Sequence, residues 1–162
     1  MNWEQLLSSN RLGSQNIGTK PDRSEFEKDF DRIIFSLPFR RLQDKTQVFP
    51  LPEDDFVHNR LTHSLEVASV GRSLGKRAGE QVITKHKYLG EQVKASDFGA
   101  IVSAASLAHD VGNPPFGHSG ENAISDFFKF HPIIKDLKPH LADDEWADII
   151  NFEGNAQGFR LI

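Results

Sequence analysis

The sequence predicts one all-α domain, and three observations support this prediction. Apolar residues recur at helical spacing in almost every periodic segment of the chain. Prolines and glycines interrupt these segments at points where an α-helix has to end. The 162 residues are enough for one domain with a core, and they contain no internal repeat, low-complexity tract or second-domain boundary.

The predicted elements in the first half of the chain are two helices joined by a connector. Asp22, with Glu25 three residues on, resembles a capping box and starts a helix that Pro38 stops. The proline-broken, acidic connector 48–55 follows. The apolar pattern then indicates a long amphipathic helix over 56–79, in which three glycines are expected to weaken the C-terminal half (Gly71, Gly75 and Gly79).

The second half is predicted to contain three further helices. Residues 83–94 are polar and contain glycine, which indicates a loop or a poorly formed helix. Ser96 is the expected N-cap of a helix that runs to Asp110 and is broken by the glycine and two prolines of 111–115. Helices are expected to resume at about 118–130 and 143–152.

Composition limits the chemistry that the chain can perform. The absence of cysteine excludes a disulfide scaffold, a thiolate metal site and a cysteine nucleophile, so a metal would have to be held by histidines and carboxylates. A net charge of −4 gives no reason to expect a general polyanion-binding surface. Basic residues gather locally, however, which fits a small anionic ligand better than a long nucleic acid (Arg40, Arg41, Lys45 and Arg60).

The chain is expected to be cytoplasmic, without contact with a membrane. No apolar run approaches the roughly 20 residues that span a bilayer. The segment 1–10 is short, polar and acidic at Glu4, unlike a signal peptide.

The most informative pattern is His63 followed, 46 residues later, by the adjacent pair His109 and Asp110. Imidazole nitrogen and carboxylate oxygen together suit a divalent ion such as Mn²⁺, Fe²⁺, Zn²⁺ or Mg²⁺. Adjacent residues inside a helix point about 100° apart, but Gly112 places a helix end just after the pair and relaxes this restriction. Taken alone, a His-Asp dipeptide is more often a surface or capping pair than a metal site.

A second pair, His118 and Glu121, has the i, i+3 spacing of neighbours on one helix face. A carboxylate beside an imidazole can orient it and raise its pKa, which suits proton transfer near neutral pH. On spacing alone, an exposed pair at a helix start is the more common explanation. Arg60 lies three residues before His63, on the same face, where its planar guanidinium could hold a phosphate oxygen.

Four segments in order resemble the HD superfamily, and specifically its dGTPase-like branch. Two of them surround the histidines, namely HNRLTHSLEV (58–67) and SLAHDVGNPPFGHSGE (106–121). The other two are DRIIFSLPFRRLQDKTQV (31–48) and NFEGNAQ (151–157). Together they cover most of residues 22–160, which makes the resemblance far more specific than the dipeptide.

The resemblance implies an HD-domain helical bundle in which His63, His109 and Asp110 are three metal ligands. It also implies a fourth ligand, an aspartate that lies downstream of the last residue of this sequence. On this basis we expect residues 1–21 to form an N-terminal arm and residues 22–162 to be the N-terminal part of an HD phosphohydrolase domain, incomplete at its C-terminus. Such a chain is expected to hold metal weakly and to have impaired or no activity.

The resemblance further implies a reaction, in which deoxynucleoside triphosphates, dGTP among them, are hydrolysed to deoxynucleoside and triphosphate. It assigns His118 and Glu121 a catalytic role beside the metal. The candidate substrate-binding residues are Arg60, Arg40, Gln47, Asn113, Glu153, Asn155 and Gln157. Family members are commonly oligomeric, and some respond to nucleotides or single-stranded DNA, so a homo-oligomer and such an effector are expected.

Three alternatives stay open at this point. One is a different HD phosphohydrolase acting on nucleoside monophosphates or cyclic nucleotides, although the run 112–118 and the N-terminal segment argue against it. Another is a non-catalytic nucleotide-sensing or assembly module with the same fold, favoured by the missing fourth ligand. The third is a plain helical bundle whose histidines and aspartate are incidental and which would show no metal dependence.

Overall fold

The computed structural model describes residues 2–11, 23–47 and 58–162. All regular elements in these ranges are helices, and the β pairing within them is a single isolated bridge between Thr46 and Asn59. The prediction of an all-α fold is therefore confirmed. A search of the same ranges finds no helix that is both long enough and apolar enough to cross a membrane.

The α-helices that the structure describes are short at both ends of the chain and longest in its middle. In chain order they are α1 (Trp3–Leu6), α2 (Glu25–Phe35), α3 (Leu37–Arg40), α4 (Arg60–Lys85), α5 (Ala95–Ala108), α6 (His118–Phe130), α7 (Ile134–Leu137), α8 (Asp143–Ile150) and α9 (Gly154–Leu161). Three 3-10 turns accompany them, at Arg41–Asp44, Lys87–Glu91 and Lys138–His140.

The chain divides into two compact units. The first unit comprises Met1–Ser36 and Ser64–Leu107, and the second unit comprises Leu37–His63 and Ala108–Ile162. Every candidate site residue belongs to the second unit. The expected boundary between an N-terminal arm and the domain stays a prediction, because residues 12–22 lie outside the described ranges.

In the first unit, α4 and α5 approach each other closely along a glycine face of α4. The Ser103 hydroxyl donates to the carbonyl of Ala68 across this contact (3.1 Å). A Cβ added at Gly75 would lie 2.7 Å from the carbonyl oxygen of Phe98, too close for any side chain. The glycines therefore permit close helix packing, and the helix that they were expected to weaken continues to Lys85.

Several predicted helix ends are wrong by a few residues. The side chain that caps α2 is Ser24, in a capping box with Glu27. The predicted cap, Asp22, lies outside the described residues. The first residues of the predicted helix 56–79 also lie outside them. Ser96 lies inside α5, where the Asp97 carboxylate accepts from the Lys94 N–H (2.8 Å), so Ser96 is not the cap. The segment 83–94, expected to be a loop or a poorly formed helix, contains the end of α4 and one 3-10 turn. The predicted bounds of the helix 118–130 are confirmed.

In the second unit, the segment 111–115 meets α9, a helix that the sequence analysis did not predict. Gly112 is the point of closest approach. A Cβ added at Gly112 would lie 2.1 Å from both the Gly154 carbonyl oxygen and the Gly158 amide nitrogen. Only glycine fits here, because both obstacles are backbone atoms that cannot rotate away. This contact places the residues after α5 beside the first turn of α9.

Candidate metal centre

The two histidines and the aspartate of the predicted metal site come together in the second unit. His63 lies in the first turn of α4, and His109 and Asp110 follow the last residue of α5 directly. Each of the three offers one ligand atom within 4.8 Å of the other two. The imidazole rings of His63 and His109 lie 5.3 Å apart between centroids, at an interplanar angle of 69°. We refer to these three residues as the histidine–aspartate cluster.

The donor set and the geometry fit a divalent ion. Two atoms bound about 2.1 Å from one ion lie at most about 4.2 Å apart, so the observed separations require only small adjustments. The Oδ2 atom of Asp110 is buried and accepts no hydrogen bond in the described structure, although the Nε2 atom of His109 lies 3.6 Å away. A buried carboxylate oxygen without a donor is costly, and a cation would satisfy it.

The other carboxylate oxygen of Asp110 is held by two donors. Its Oδ1 atom accepts from Nη1 of Arg60 (2.9 Å) and from Nδ2 of Asn113 (2.6 Å). Arg60 and Asp110 are both buried, with 8% and 5% of their surface exposed. The ion pair compensates the buried charges and orients the carboxylate, so that one oxygen faces its donors and the other is left beside His109.

The guanidinium of Arg60 has a donor that the contact with Asp110 does not use. Its Nε atom is buried and has no hydrogen-bond partner in the described structure. Its Nη2 atom lies against Gly117, since a Cβ added there would be 3.1 Å from it. Gly117 has a positive φ of 54°, a conformation that glycine tolerates. A guanidinium with an unused N–H next to the cluster is suited to an anionic oxygen.

The predicted pair of His118 and Glu121 is also formed. Nδ1 of His118 lies 2.7 Å from Oε2 of Glu121, and the imidazole is 96% exposed while the carboxylate is largely covered. The other oxygen, Oε1, accepts from the Gly154 N–H at the start of α9 (2.8 Å). The hydrogen bond from His118, together with that from Gly154, lowers the pKa of Glu121 below its ordinary value.

This lowered pKa predicts a pH dependence of stability. A carboxyl group whose pKa is lowered on folding stabilises the fold above its unfolded pKa, and the contribution is lost as the pH falls through the folded value. We expect Glu121→Gln to be less stable than the unaltered chain near neutral pH, and the difference to shrink between about pH 5 and pH 3. Urea unfolding followed by circular dichroism across this range would measure it.

Glu80→Gln, at an exposed position of the first unit, is the matched control and should leave that pH profile unchanged. A Glu121→Gln difference that is constant from neutral to acidic pH would contradict the expected linkage.

The remaining predicted site residues differ in where they lie. Arg40 is exposed on α3, and no contact described for it joins it to the histidine–aspartate cluster. Gln47 has a buried Oε1 atom without a hydrogen-bond partner in the described structure. Glu153 caps α9 by accepting from the Asn155 and Ala156 N–H groups. These hydrogen bonds, the one from Ala156 first, lower the pKa of Glu153.

Lys45 extends the site on the other side of Asn113. Its Nζ atom donates to the Asn113 carbonyl (2.6 Å), and both residues line a cavity of about 470 Å³ with Gln157. Burial lowers the pKa of Lys45, and the positive charge of Arg60 adds to this effect. The cavity is open to solvent and has a basic rim, so it could admit an anionic group.

Gly154 is a site residue that the sequence analysis missed. Its N–H binds Glu121, and a Cβ added to it would lie 2.1 Å from Oδ1 of Asn113. The side chains of Asn113 and Glu121 thus meet at one backbone position. In the sequence, the only indication of a helix start here is that Gly154 directly follows the acidic residue Glu153. The two contacts of Gly154 could not be predicted, because Asn113 and Glu121 are distant in the sequence.

An all-α unit in which two histidines and an aspartate converge, with a buried aspartate oxygen free, defines a candidate metal-binding helical domain. The family model described as the HD domain matches residues 60–149, more than half of the chain and including all three cluster residues. The chain belongs to the HD-domain family.

The similar proteins carry a more particular name. The chain is 52% identical over 164 aligned residues to a deoxyguanosinetriphosphate triphosphohydrolase-like protein of Synechocystis sp., and the match covers 100% of the chain and 37% of that relative. Proteins of the same name from Pseudomonas aeruginosa (52% identity, 36% of the relative) and Listeria innocua (41% identity, 37% of the relative) also match the whole chain. The chain thus spans little more than a third of the length of these curated relatives.

Proposed function

We propose that the protein of which this chain is part hydrolyses deoxynucleoside triphosphates, dGTP among them, to deoxynucleoside and triphosphate in a metal-dependent reaction. The observation that carries the proposal is the histidine–aspartate cluster, with Oδ2 of Asp110 buried and without a donor. Membership of the HD-domain family supports phosphohydrolase chemistry. The names of the relatives support the triphosphate substrate and the guanine base.

The metal site supplies the electrophilic part of the reaction. His63, His109 and Asp110 would hold a divalent ion, which when bound polarises a phosphoryl oxygen and lowers the pKa of a water molecule. The residues do not select among Mn²⁺, Mg²⁺, Fe²⁺ and Zn²⁺, because imidazole and carboxylate ligands suit all of them. A fourth protein ligand, an aspartate, is expected in the part of the relatives beyond the aligned region.

His118 is the proposed proton-transfer residue. Glu121 accepts from its Nδ1 atom, which leaves Nε2 of the exposed ring to carry a proton. Water attacks the α-phosphorus and loses a proton to the solvent, the bond to the 5′-oxygen of the deoxynucleoside breaks, and His118 delivers the proton that this leaving oxygen needs. The solvent then returns a proton to His118. Triphosphate is released intact.

Arg60 is the proposed phosphate-binding residue of the site, because its guanidinium is buried beside the cluster with Nε free of any described partner. Gln47 and Gln157 are proposed to line the nucleotide site, one through its unpartnered Oε1 atom and the other from the cavity it shares with Lys45. For Glu153 and Asn155 the substrate-binding role rests on the resemblance alone, and for Arg40 it rests on the local gathering of basic residues. Assembly as a homo-oligomer, regulation by a nucleotide or single-stranded DNA, and a cytoplasmic location stay predictions.

The experiment that tests the proposal is product analysis with each dNTP and Mn²⁺. It compares this chain with a version extended by the downstream region of the Synechocystis relative, each with and without His109→Ala. We expect the extended chain to release triphosphate and the His109→Ala variant to lose at least about a thousandfold in rate, as expected when the main electrostatic stabilisation of a transition state is removed. The chain alone is expected to be weakly active or inactive, because the aspartate proposed as the fourth ligand belongs to the added downstream region.

The alternatives predict different products. Release of inorganic phosphate from nucleoside monophosphates, or opening of cyclic nucleotides, would identify another HD phosphohydrolase. Metal binding without turnover by either version would overturn the proposed activity in favour of a sensing module. Absence of any metal dependence would mean that the histidines and the aspartate are incidental.

A further inference from the structure

Asn113 makes a contact that its predicted role in substrate binding does not explain. Its Nδ2 atom donates to Oδ1 of Asp110 at 2.6 Å, a short distance for an amide donor. Oδ2 of the same carboxylate is the buried atom that has no donor and lies beside His109. We propose that Asn113 is a positioning residue, which fixes the Asp110 carboxylate so that Oδ2 is the oxygen presented to the metal. This inference rests on the metal site in the proposed function.

The backbone of Asn113 is held by two hydrogen bonds, and its side chain lies against Gly154. The main-chain carbonyl oxygen of Asn113 accepts from Nζ of Lys45 (2.6 Å), and its main-chain N–H donates to the main-chain carbonyl of Asp110 (3.1 Å). Its Oδ1 atom packs against the α-carbon of Gly154, where a Cβ would be only 2.1 Å away. With the backbone held and Oδ1 packed against Gly154, the Nδ2 atom faces Oδ1 of Asp110. An amide held in this way orients its partner at little further cost in conformational entropy.

The second donor to Oδ1, Arg60, holds the same oxygen through Nη1 but brings a positive charge. A guanidinium beside the cluster repels a cation, whereas the amide of Asn113 is neutral and orients the carboxylate without an electrostatic penalty. Arg60 is also the proposed phosphate-binding residue, through the Nε atom that has no described partner. Asn113 has no such second role at Asp110, and its amide fixes the carboxylate from another direction.

The test is the affinity of the chain for Mn²⁺ alone, measured by the loss of the free Mn²⁺ signal in electron paramagnetic resonance. Two variants are compared, Asn113→Ala and Asn113→Leu. Leucine has nearly the shape of asparagine but no donor, so it separates the hydrogen bond from the packing. Asn151→Ala is the control, because Asn151 is an exposed asparagine whose amide donates to Ala147 in α8. We expect both Asn113 variants to bind Mn²⁺ about 10- to 100-fold more weakly, as is usual when a residue supporting a metal ligand is lost.

A second measurement guards against a change that is only structural. The Mn²⁺-induced increase in melting temperature is measured for each variant relative to its own metal-free value, after circular dichroism has confirmed the helices. We expect this increase to fall in both Asn113 variants and to be unchanged in Asn151→Ala.

Three results would overturn the inference. Unaltered Mn²⁺ affinity in both variants would show that Asn113 does not position Asp110. Weakening in Asn113→Ala but not in Asn113→Leu would assign Asn113 a packing role. Failure of both the unaltered chain and its extended version to bind Mn²⁺ would overturn the metal site of the proposed function and, with it, this inference. The first two results are distinguishable from this one, because in both of them the protein with Asn113 unaltered binds Mn²⁺.

Discussion

Asp110→Ala is expected to abolish detectable Mn²⁺ binding and to lower the free energy of unfolding by about 3–5 kcal/mol. The first effect follows from the loss of the carboxylate that completes the histidine–aspartate cluster. The second follows because Arg60, which is 8% exposed, would keep its charge in a buried position without its ion-pair partner. Urea unfolding without metal measures the stability, and Mn²⁺ titration measures the binding.

A paired variant separates the two effects. Arg60→Met combined with Asp110→Leu replaces both buried charges with apolar side chains of similar size. We expect the paired variant to recover most of the stability lost in Asp110→Ala, because removing both partners leaves no unpaired charge, and to remain unable to bind Mn²⁺. The buried ion pair would lose its assigned role if Asp110→Ala unfolded at the same urea concentration as the unaltered chain.

Gly112→Ala is expected to destabilise the second unit by about 3 kcal/mol or more, at the upper end of the range for inserted methyl groups. The new Cβ would have to occupy space 2.1 Å from the Gly154 carbonyl oxygen and 2.1 Å from the Gly158 amide nitrogen. Both are backbone atoms, so relief requires α9 to move away from the residues after α5. Thermal unfolding followed by circular dichroism would detect the change.

The control for this prediction is the opposite side of the same contact. A Cβ added at Gly158 would meet its nearest atom, the amide nitrogen of Gly112, at 3.5 Å, an ordinary van der Waals distance. Gly158 lies inside α9, where alanine is favoured over glycine by about 0.5–1 kcal/mol. We therefore expect Gly158→Ala to be neutral or stabilising. Equal destabilisation by both alanines would mean that the close approach of Gly112 to α9 is wrong.

The fold and the metal ligands could be predicted because they depend on local patterns. The all-α class follows from apolar spacing, and the bounds of α6 follow from the break at 111–115 and from Pro132 just after Phe130. Asp110 could be recognised as a residue that needs a partner, because it follows the alanine-rich end of α5, where burying a carboxylate is costly. That Arg60 is this partner could not be predicted, since the two residues are 50 positions apart.

What could not be predicted depends on contacts between distant segments. The sequence predicts that Gly75 weakens its helix, because glycine is a poor helix former. The spacing of the glycines gives no information about Phe98 on α5, which Gly75 approaches closely. The helix α9 was missed because its cap is a glutamate, Glu153, rather than a serine, threonine or aspartate. The two contacts of Gly154, with Asn113 and Glu121, bring together residues from separate helices and loops, and a single sequence carries no record of them.

The divided carboxylate of Glu121 has a thermodynamic consequence. One oxygen contacts the imidazole of His118 and the other accepts from the first amide of α9, so both hydrogen bonds depend on the negative charge of one carboxylate. Linkage is reciprocal: the free energy by which the His118 contact alters the Gly154 contact equals the free energy by which the Gly154 contact alters the His118 contact. The contact of an exposed imidazole and the packing of a helix that begins 36 residues later in the sequence are therefore coupled through one carboxylate. Deuterium exchange at the Gly154 amide is expected to change when the imidazole is removed in His118→Ala, without any substrate present.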